Sequence, residues 1–206
     1  MSTVTARSYI AKKWNLSGLQ GISDKTLEIH FGLYEGYVKN ANLLNEQIAE
    51  IASQGQAAGT NLHFAEMVRR LGFEYNGMVL HEYYFDNLAS KPVGEQPSKL
   101  RDRIAADFGS FDNWKKQFSA IGAIRGVGWV ILNEDNRDGR LTNHWISLHE
   151  EGNIAGFTPV LVMDVWEHAW FLDYKPAQRP TYVESFLANV DWNVVAGRLS
   201  SECCSI

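Results

Sequence analysis

The chain has 206 residues, 45% of them hydrophobic and 12% aromatic, enough to build a sizeable core in one domain or two small lobes. Acidic residues outnumber basic ones for a net charge of -5, and no basic tract occurs, so nucleic acid is not an expected partner. The apolar run Thr158 to Val162 is far too short to span a bilayer, and the only cysteines, Cys203 and Cys204, are adjacent and cannot staple a fold.

Residues 1 to 22 read as irregular. The N-terminal MSTVTARSYIAKKWN lacks the apolar middle of a secretory leader, so a cytoplasmic protein is expected. Ser23 and Asp24 are N-cap candidates for a first helix. His30, Tyr34, Tyr37, Ala41, Leu44 and Ile48 follow at steps of three and four along one face. That helix should stop before Gly55 to Gly59. A second should run from about Leu62 to Leu88, interrupted or bent near Gly72 to Gly77. Lys91 to Gln96 reads as a linker.

Two short helices are expected at Ser98 to Phe108 and Phe111 to Ile121. The pattern then changes to strands at Gly128 to Leu132, Arg140 to Leu148 and Thr158 to Met163, with a turn at Asn136 to Gly139. Asp164 to Tyr174 and Tyr182 to Val190 are expected to return to helix. The layout is α+β: an N-terminal helical hairpin (residues 1–90), then a C-terminal lobe (residues 91–206) with a small three-stranded antiparallel sheet.

Six histidines are candidates for chemistry. His63 and His144 read as ordinary surface or satisfied residues. His30 lies on an apolar helical stripe, and His81 sits in the apolar and aromatic segment MVLHEYYF. A buried imidazole needs a partner for each nitrogen. Asp164 and His168 are four apart in DVWEHAW, a spacing that shares a face on a helix. Three imidazoles with one carboxylate suit iron or manganese, whereas a structural zinc site more often uses thiolates. Two weaker patterns fail. Glu134 to Gly139 resembles a calcium loop, but Trp145 stands where its late glutamate belongs. Asn15-Leu16-Ser17 is a glycosylation acceptor without a secretory context.

DVWEHAWFLDY (164–174) closely resembles the signature of the iron/manganese superoxide dismutases, D-x-W-E-H-A. LEIHFGLYEGYVKN, GMVLHEYYFDNL, GVGWVIL and RPTYVESFLANVDW resemble further segments of that family. The similarity runs from about Trp14 to Val195. It implies one iron or manganese ion per subunit, held by His30, His81, Asp164 and His168. The implied reaction converts superoxide to oxygen and hydrogen peroxide by redox cycling of that ion. The rival expectation is a family member that keeps the fold for metal binding or interaction without catalysis.

The resemblance also implies roles around the ion. His149 falls near a sheet position whose side chain hydrogen-bonds solvent on the metal, and Gly77 leaves room for it. Tyr34 and Tyr37 are both candidates for the entrance tyrosine, since neither has the family's usual spacing from His30. Trp129, Trp166 and Trp170 would shape the pocket. The implied assembly is a homodimer, with higher oligomers also allowed. Glu167 would reach the partner's metal-ligand histidine, and Phe171 would meet Tyr34 across the interface. The family's entrance base is missing near Leu33, and Arg179 is the substitute considered.

Overall fold

The computed structural model describes residues 6–92 and 95–200; Cys203 and Cys204 lie outside them. Two long helices come first, α1 (Asp24–Ser53) and α2 (Leu62–Asp86). Ser23 caps α1 by accepting from the Thr26 amide, and Asn61 caps α2 by accepting from the Phe64 amide, so each start satisfies an otherwise orphaned donor. The two helices pack along one another. α2 is continuous through Gly72 to Gly77, where an interruption or bend was expected. Neither glycine adopts a positive φ, and the flanking residues are ordinary helix formers, so the i to i-4 ladder carries through.

The second half begins with α3 (Ser98–Phe108) and α4 (Phe111–Gly122). The sheet follows as β1 (Gly128–Asp135), β2 (Leu141–Ser147) and β3 (Phe157–Asp164), antiparallel in the order β2-β1-β3. β1 is the central strand and is buried along its whole length. It extends past Leu132 because its polar end is satisfied inside the fold. Asn133 pairs with His144, Glu134 with Arg103 and Ser200, and Asp135 with Arg137. Two helices close the chain, α5 (Arg179–Ala188) and α6 (Trp192–Gly197). α5 starts earlier than the apolar pattern indicates, with Pro180 in its first turn, where its missing N–H costs nothing.

The segment after β3 corrects the sequence reading most clearly. A helix from Asp164 was expected, yet Asp164 is the last residue of β3 and only Glu167–Ala169 forms a single 3-10 turn. The cause is local. The Val165 amide still donates to the Gly128 carbonyl, and the Trp166 amide donates to Asp164 Oδ1. The backbone therefore stays extended to Val165 and turns on the aspartate side chain.

The halves are joined where α2 packs on β3. Fully buried Asn87, just past the end of α2, donates through Nδ2 to the Val162 carbonyl and accepts from Arg198 Nη1. Its own carbonyl accepts from the Asp191 amide. Among the described residues no helix is long and apolar enough to cross a membrane. Replacing Asn87 by Ala strands one carbonyl and part of one guanidinium, so Asn87→Ala should lower the unfolding free energy by about 1–3 kcal/mol in urea denaturation. A change below the error of that measurement would show that the two halves do not depend on this tie.

Candidate metal centre

Four side chains from four places in the chain meet between the halves. His30 comes from α1, His81 from α2, Asp164 from the end of β3 and His168 from the 3-10 turn. Their ligand atoms all lie within 4.8 Å of one another. Asp164 Oδ2 is 3.1 Å from Nε2 of His30, 3.1 Å from Nε2 of His168 and 3.7 Å from Nε2 of His81. His30, His81 and Asp164 are at most 1% exposed, and His168 is partly buried.

His81 provides the chemical test of this cluster. Its Nδ1 is 2.5 Å from the Gly77 carbonyl, which can only accept, so Nδ1 carries the proton. Burial, reinforced by His30, holds the ring well below the ordinary imidazole pKa and keeps it neutral. The lone pair on Nε2 is therefore aimed at a carboxylate oxygen, and Nε2 has no hydrogen-bond partner. Two electron-rich atoms that face one another at zero exposure call for a cation. A single transition-metal ion with bonds of about 2 Å spans such a set, and three imidazoles with one carboxylate fit iron or manganese.

The carboxylate is prepared as an anion. Burial alone would raise the Asp164 pKa, but His168 and then His30 outweigh it and hold the group well below the usual carboxylate range. Tyr182 donates to the Asp164 backbone carbonyl at 2.7 Å, and Tyr84 lies 3.2 Å behind Tyr182, so the end of β3 is held from below. Trp129 sits opposite Asp164 in the β1–β3 register and therefore shares its face of the sheet. The Trp129 ring stands edge-on to His81 with centroids 5.0 Å apart.

His149 lies beside this group and is fully buried. It sits in the tight turn after β2, closed by paired Ser147–Glu151 backbone bonds. Leu148 takes φ 51, a left-handed conformation that costs a non-glycine residue roughly 1 kcal/mol. The Trp129 indole N–H donates to His149 Nδ1 at 3.1 Å. Burial lowers the His149 pKa to about 4, so the ring is neutral and its one proton lies on Nε2. That N–H donates to Tyr37 Oη at 2.7 Å. Tyr37, pushed up to about 12 by burial and by Asp164, stays protonated and has its own O–H left to give elsewhere.

The two tyrosines are thus separated. Tyr37 reaches His149, and its ring lies 5.1 Å from that of His81. Tyr34 points the other way: its hydroxyl donates to Glu82 at 3.0 Å and accepts from the Lys12 amide at 2.9 Å, beside Trp14. At 1% exposure Tyr34 has no surface to offer Phe171 of a second chain, which corrects the interface pair expected from the sequence. Gly77 makes room, though not directly for His149. A Cβ there would fall 2.6 Å from Cδ1 of Tyr37, so the space is filled by the ring that carries the hydroxyl to His149.

Trp166 stacks between His149 and His168, with centroids at 5.0 and 5.9 Å. Trp170 is set back from the centre, packed on Phe171 and Tyr182 and bonded to the Val165 carbonyl. Glu167 is exposed, and Phe171 is 53% exposed. His63 is on the surface, while His144 serves the sheet through Asn133. The sequence reading missed Phe73, whose ring lies 4.5 Å from that of His149, and Arg70, stacked on Phe73 at 4.3 Å. Their place one and two turns before Gly77 on the same helix was the available signal.

Residues 96–198 match the family described as iron/manganese superoxide dismutases, C-terminal domain. The chain is 37% identical over 183 residues to the iron superoxide dismutase of Aquifex aeolicus, covering 87% of this chain and 85% of that protein. It is 36% identical over 186 residues to the iron superoxide dismutase of Cupriavidus metallidurans, covering 89% and 91%. It is also 34% identical over 178 residues to a manganese superoxide dismutase of Haloferax volcanii, covering 86% of each.

Buried neutral histidines make the metal-free protein acid-sensitive, and the sign follows from the direction of their shifts. An unfolded chain binds a proton at each histidine below about pH 6.5 that folded His149 refuses until about pH 4; His30 and His81 act in the same sense. The unfolded state binds more protons across that window, so stability falls as pH drops from about 6.5 to about 4. Asp164 contributes only at lower pH. The thermal midpoint of metal-free protein should decline through this range, and His149→Gln should make the decline shallower. Equal slopes for both proteins would contradict the buried, neutral state of His149.

Proposed function

Because this chain belongs to the iron/manganese superoxide dismutase family, an enzyme of that type, we propose that it converts superoxide to oxygen and hydrogen peroxide with one iron or manganese ion per subunit. His30, His81, Asp164 and His168 would hold the ion. The observation that carries the proposal is the orphaned Nε2 of His81 facing Asp164 Oδ2 at full burial. When bound, the ion supplies one-electron redox chemistry between its divalent and trivalent states.

The chain's own residues set the terms of that chemistry. Asp164 would supply one full negative charge to the ion, which favours its trivalent state. The Gly77 carbonyl keeps His81 in the tautomer that binds through Nε2. Trp129 does the same for His149, so that His149 Nε2–H points at Tyr37 Oη. Tyr37, still a phenol at neutral pH, keeps a proton available at Oη for a small anion or a water on the open side. The Trp129 and Trp166 rings exclude bulk solvent around this proton path.

Iron and manganese are both compatible with this donor set, and relatives carrying each name are matched. The exposed Glu167, Phe171 and Leu172 form the surface assigned here to a dimer contact. A cytoplasmic location is part of this reading, with no part assigned to nucleic acid or membrane.

The test is metal content and superoxide consumption on one preparation, loaded separately with iron and with manganese. Consumption with at least one metal, lost in His81→Ala together with most of the bound metal, is the expected result; removing one ligand should cost at least about 10-fold in metal affinity. Metal bound without superoxide consumption in either form would leave a metal-binding protein instead.

A further inference from the structure

The site asks for a small anion, yet the chain carries a net charge of -5. An anion arriving by diffusion is slowed by such a field unless a local cation offsets it. Arg179, the other cation near this centre, is only 9% exposed: Nη1 is bonded to the Gly126 carbonyl, while Nε and Nη2 have no hydrogen-bond partner among the described residues but are enclosed near Trp145 and Trp170, so its charge is not presented to an anion in solution. Lys12 is spent on Glu82 and Asp86 beside Tyr34.

Arg70 is placed differently. Its side chain is 52% exposed, and its guanidinium lies 4.3 Å from the centroid of Phe73. The Phe73 ring is in turn 4.5 Å from that of His149 and 6.0 Å from that of Tyr37. The positive charge of Arg70 is felt at both Tyr37 and His149. Glu74, one turn later, is 2% exposed and fixes the head group: its Oε1 accepts from Arg70 Nε at 2.8 Å and lies 2.7 Å from Nη2. Glu74 Oε2 accepts from Asn40 of α1, three residues beyond Tyr37. The pair occupies two of the five guanidinium N–H bonds and leaves the others for a second anion.

We propose that Arg70, stacked on Phe73 and latched by Glu74, is the cationic residue that recruits a small monoanionic substrate to the Tyr37–His149 side of this centre. The inference rests on the dismutase reading for the identity of the anion but not for its charge. Glu74 then has a positioning role. It holds Arg70 at the rim, at the expense of part of its charge, and ties that rim to the helix that carries Tyr37. A planar, forked cation suits the task because it can serve the carboxylate and a diatomic anion together.

The experiment uses the full chain loaded with iron and titrates azide, a small monoanion, by the change in the visible absorption of the metal. Arg70→Gln should weaken azide binding by about 3- to 10-fold, and the fall of the superoxide rate with rising ionic strength should flatten. Arg70→Lys keeps the charge but loses the planar fork that stacks on Phe73 and grips Glu74 with two N–H bonds, so it should recover only part of the azide affinity that Arg70→Gln loses. Arg70→Gln leaves Glu74 buried without its cation, so Arg70→Gln/Glu74→Gln is measured beside it, and it should show the same weakened azide binding. Unchanged azide affinity in both variants would overturn the proposal. So would a loss in the single variant that the double variant restores, because Arg70 would then serve only to neutralise Glu74. A parent protein that binds iron and azide but consumes no superoxide would count against the dismutase reading alone, and the azide series would still decide the role of Arg70.

Discussion

The organisation of this protein turns on one carboxylate oxygen. Asp164 Oδ2 is approached by Nε2 of three histidines, at 3.1, 3.1 and 3.7 Å, in a place where His30, His81 and Asp164 are at most 1% exposed and His168 is partly buried. Such a grouping is costly to bury as it stands. The cost is lowered in two ways within the chain: His30 and His81 are kept neutral by burial, and the tautomer of His81 is fixed by Gly77. The remaining imbalance, a lone pair facing an anion, is what a cation relieves. Metal binding should therefore stabilise the fold as well as supply chemistry.

The fold can be read as the means of holding these groups at a fixed spacing. α1 and α2 are long because each must bring one histidine inward while its remaining length pairs with the other helix. β1 is the fully buried central strand, and its Trp129 shares a sheet face with Asp164. Asn87 and Asn189, both fully buried, knit the end of α2 and the N-terminal segment to the closing helices. A second, outer layer of aromatic and hydrogen-bonding groups then passes from Trp129 through His149 to Tyr37. The order of donors along that line follows from chemistry, because an indole can only donate and a neutral imidazole has one proton to give.

Much of this was legible in the sequence, for reasons that differ by residue. The α+β order followed from periodicity and turn residues, and the four candidate ligands followed from short motifs. The shape of the DVWEHAW segment was not legible. A spacing of four satisfies a helix, but it also satisfies a strand end followed by a 3-10 turn, and the choice was made by the Asp164 side chain capping Trp166 and by the sheet ladder running on to Val165. Tyr34 and Tyr37 share a helical face closely enough that only the packing of α2 separates them: Glu82 captures one, and the gap above Gly77 admits the other. Arg70 stayed hidden because a charged residue four before a glutamate reads as an ordinary helix-surface pair. The spacing of Phe73 and Arg70 before Gly77 puts them on its side of the helix, but it does not reveal that Glu74 is buried or that Phe73 lies against His149.

The account stands on the claim that one ion occupies the space among these four side chains. The most direct measurement is anomalous diffraction from crystals of metal-loaded protein, recorded on either side of the iron or manganese absorption edge. The account predicts a single strong peak per chain, within about 2.0–2.3 Å of Nε2 of His30, His81 and His168 and of Asp164 Oδ2. A peak elsewhere, or one that leaves Nε2 of His81 without a bond to the metal, would contradict it.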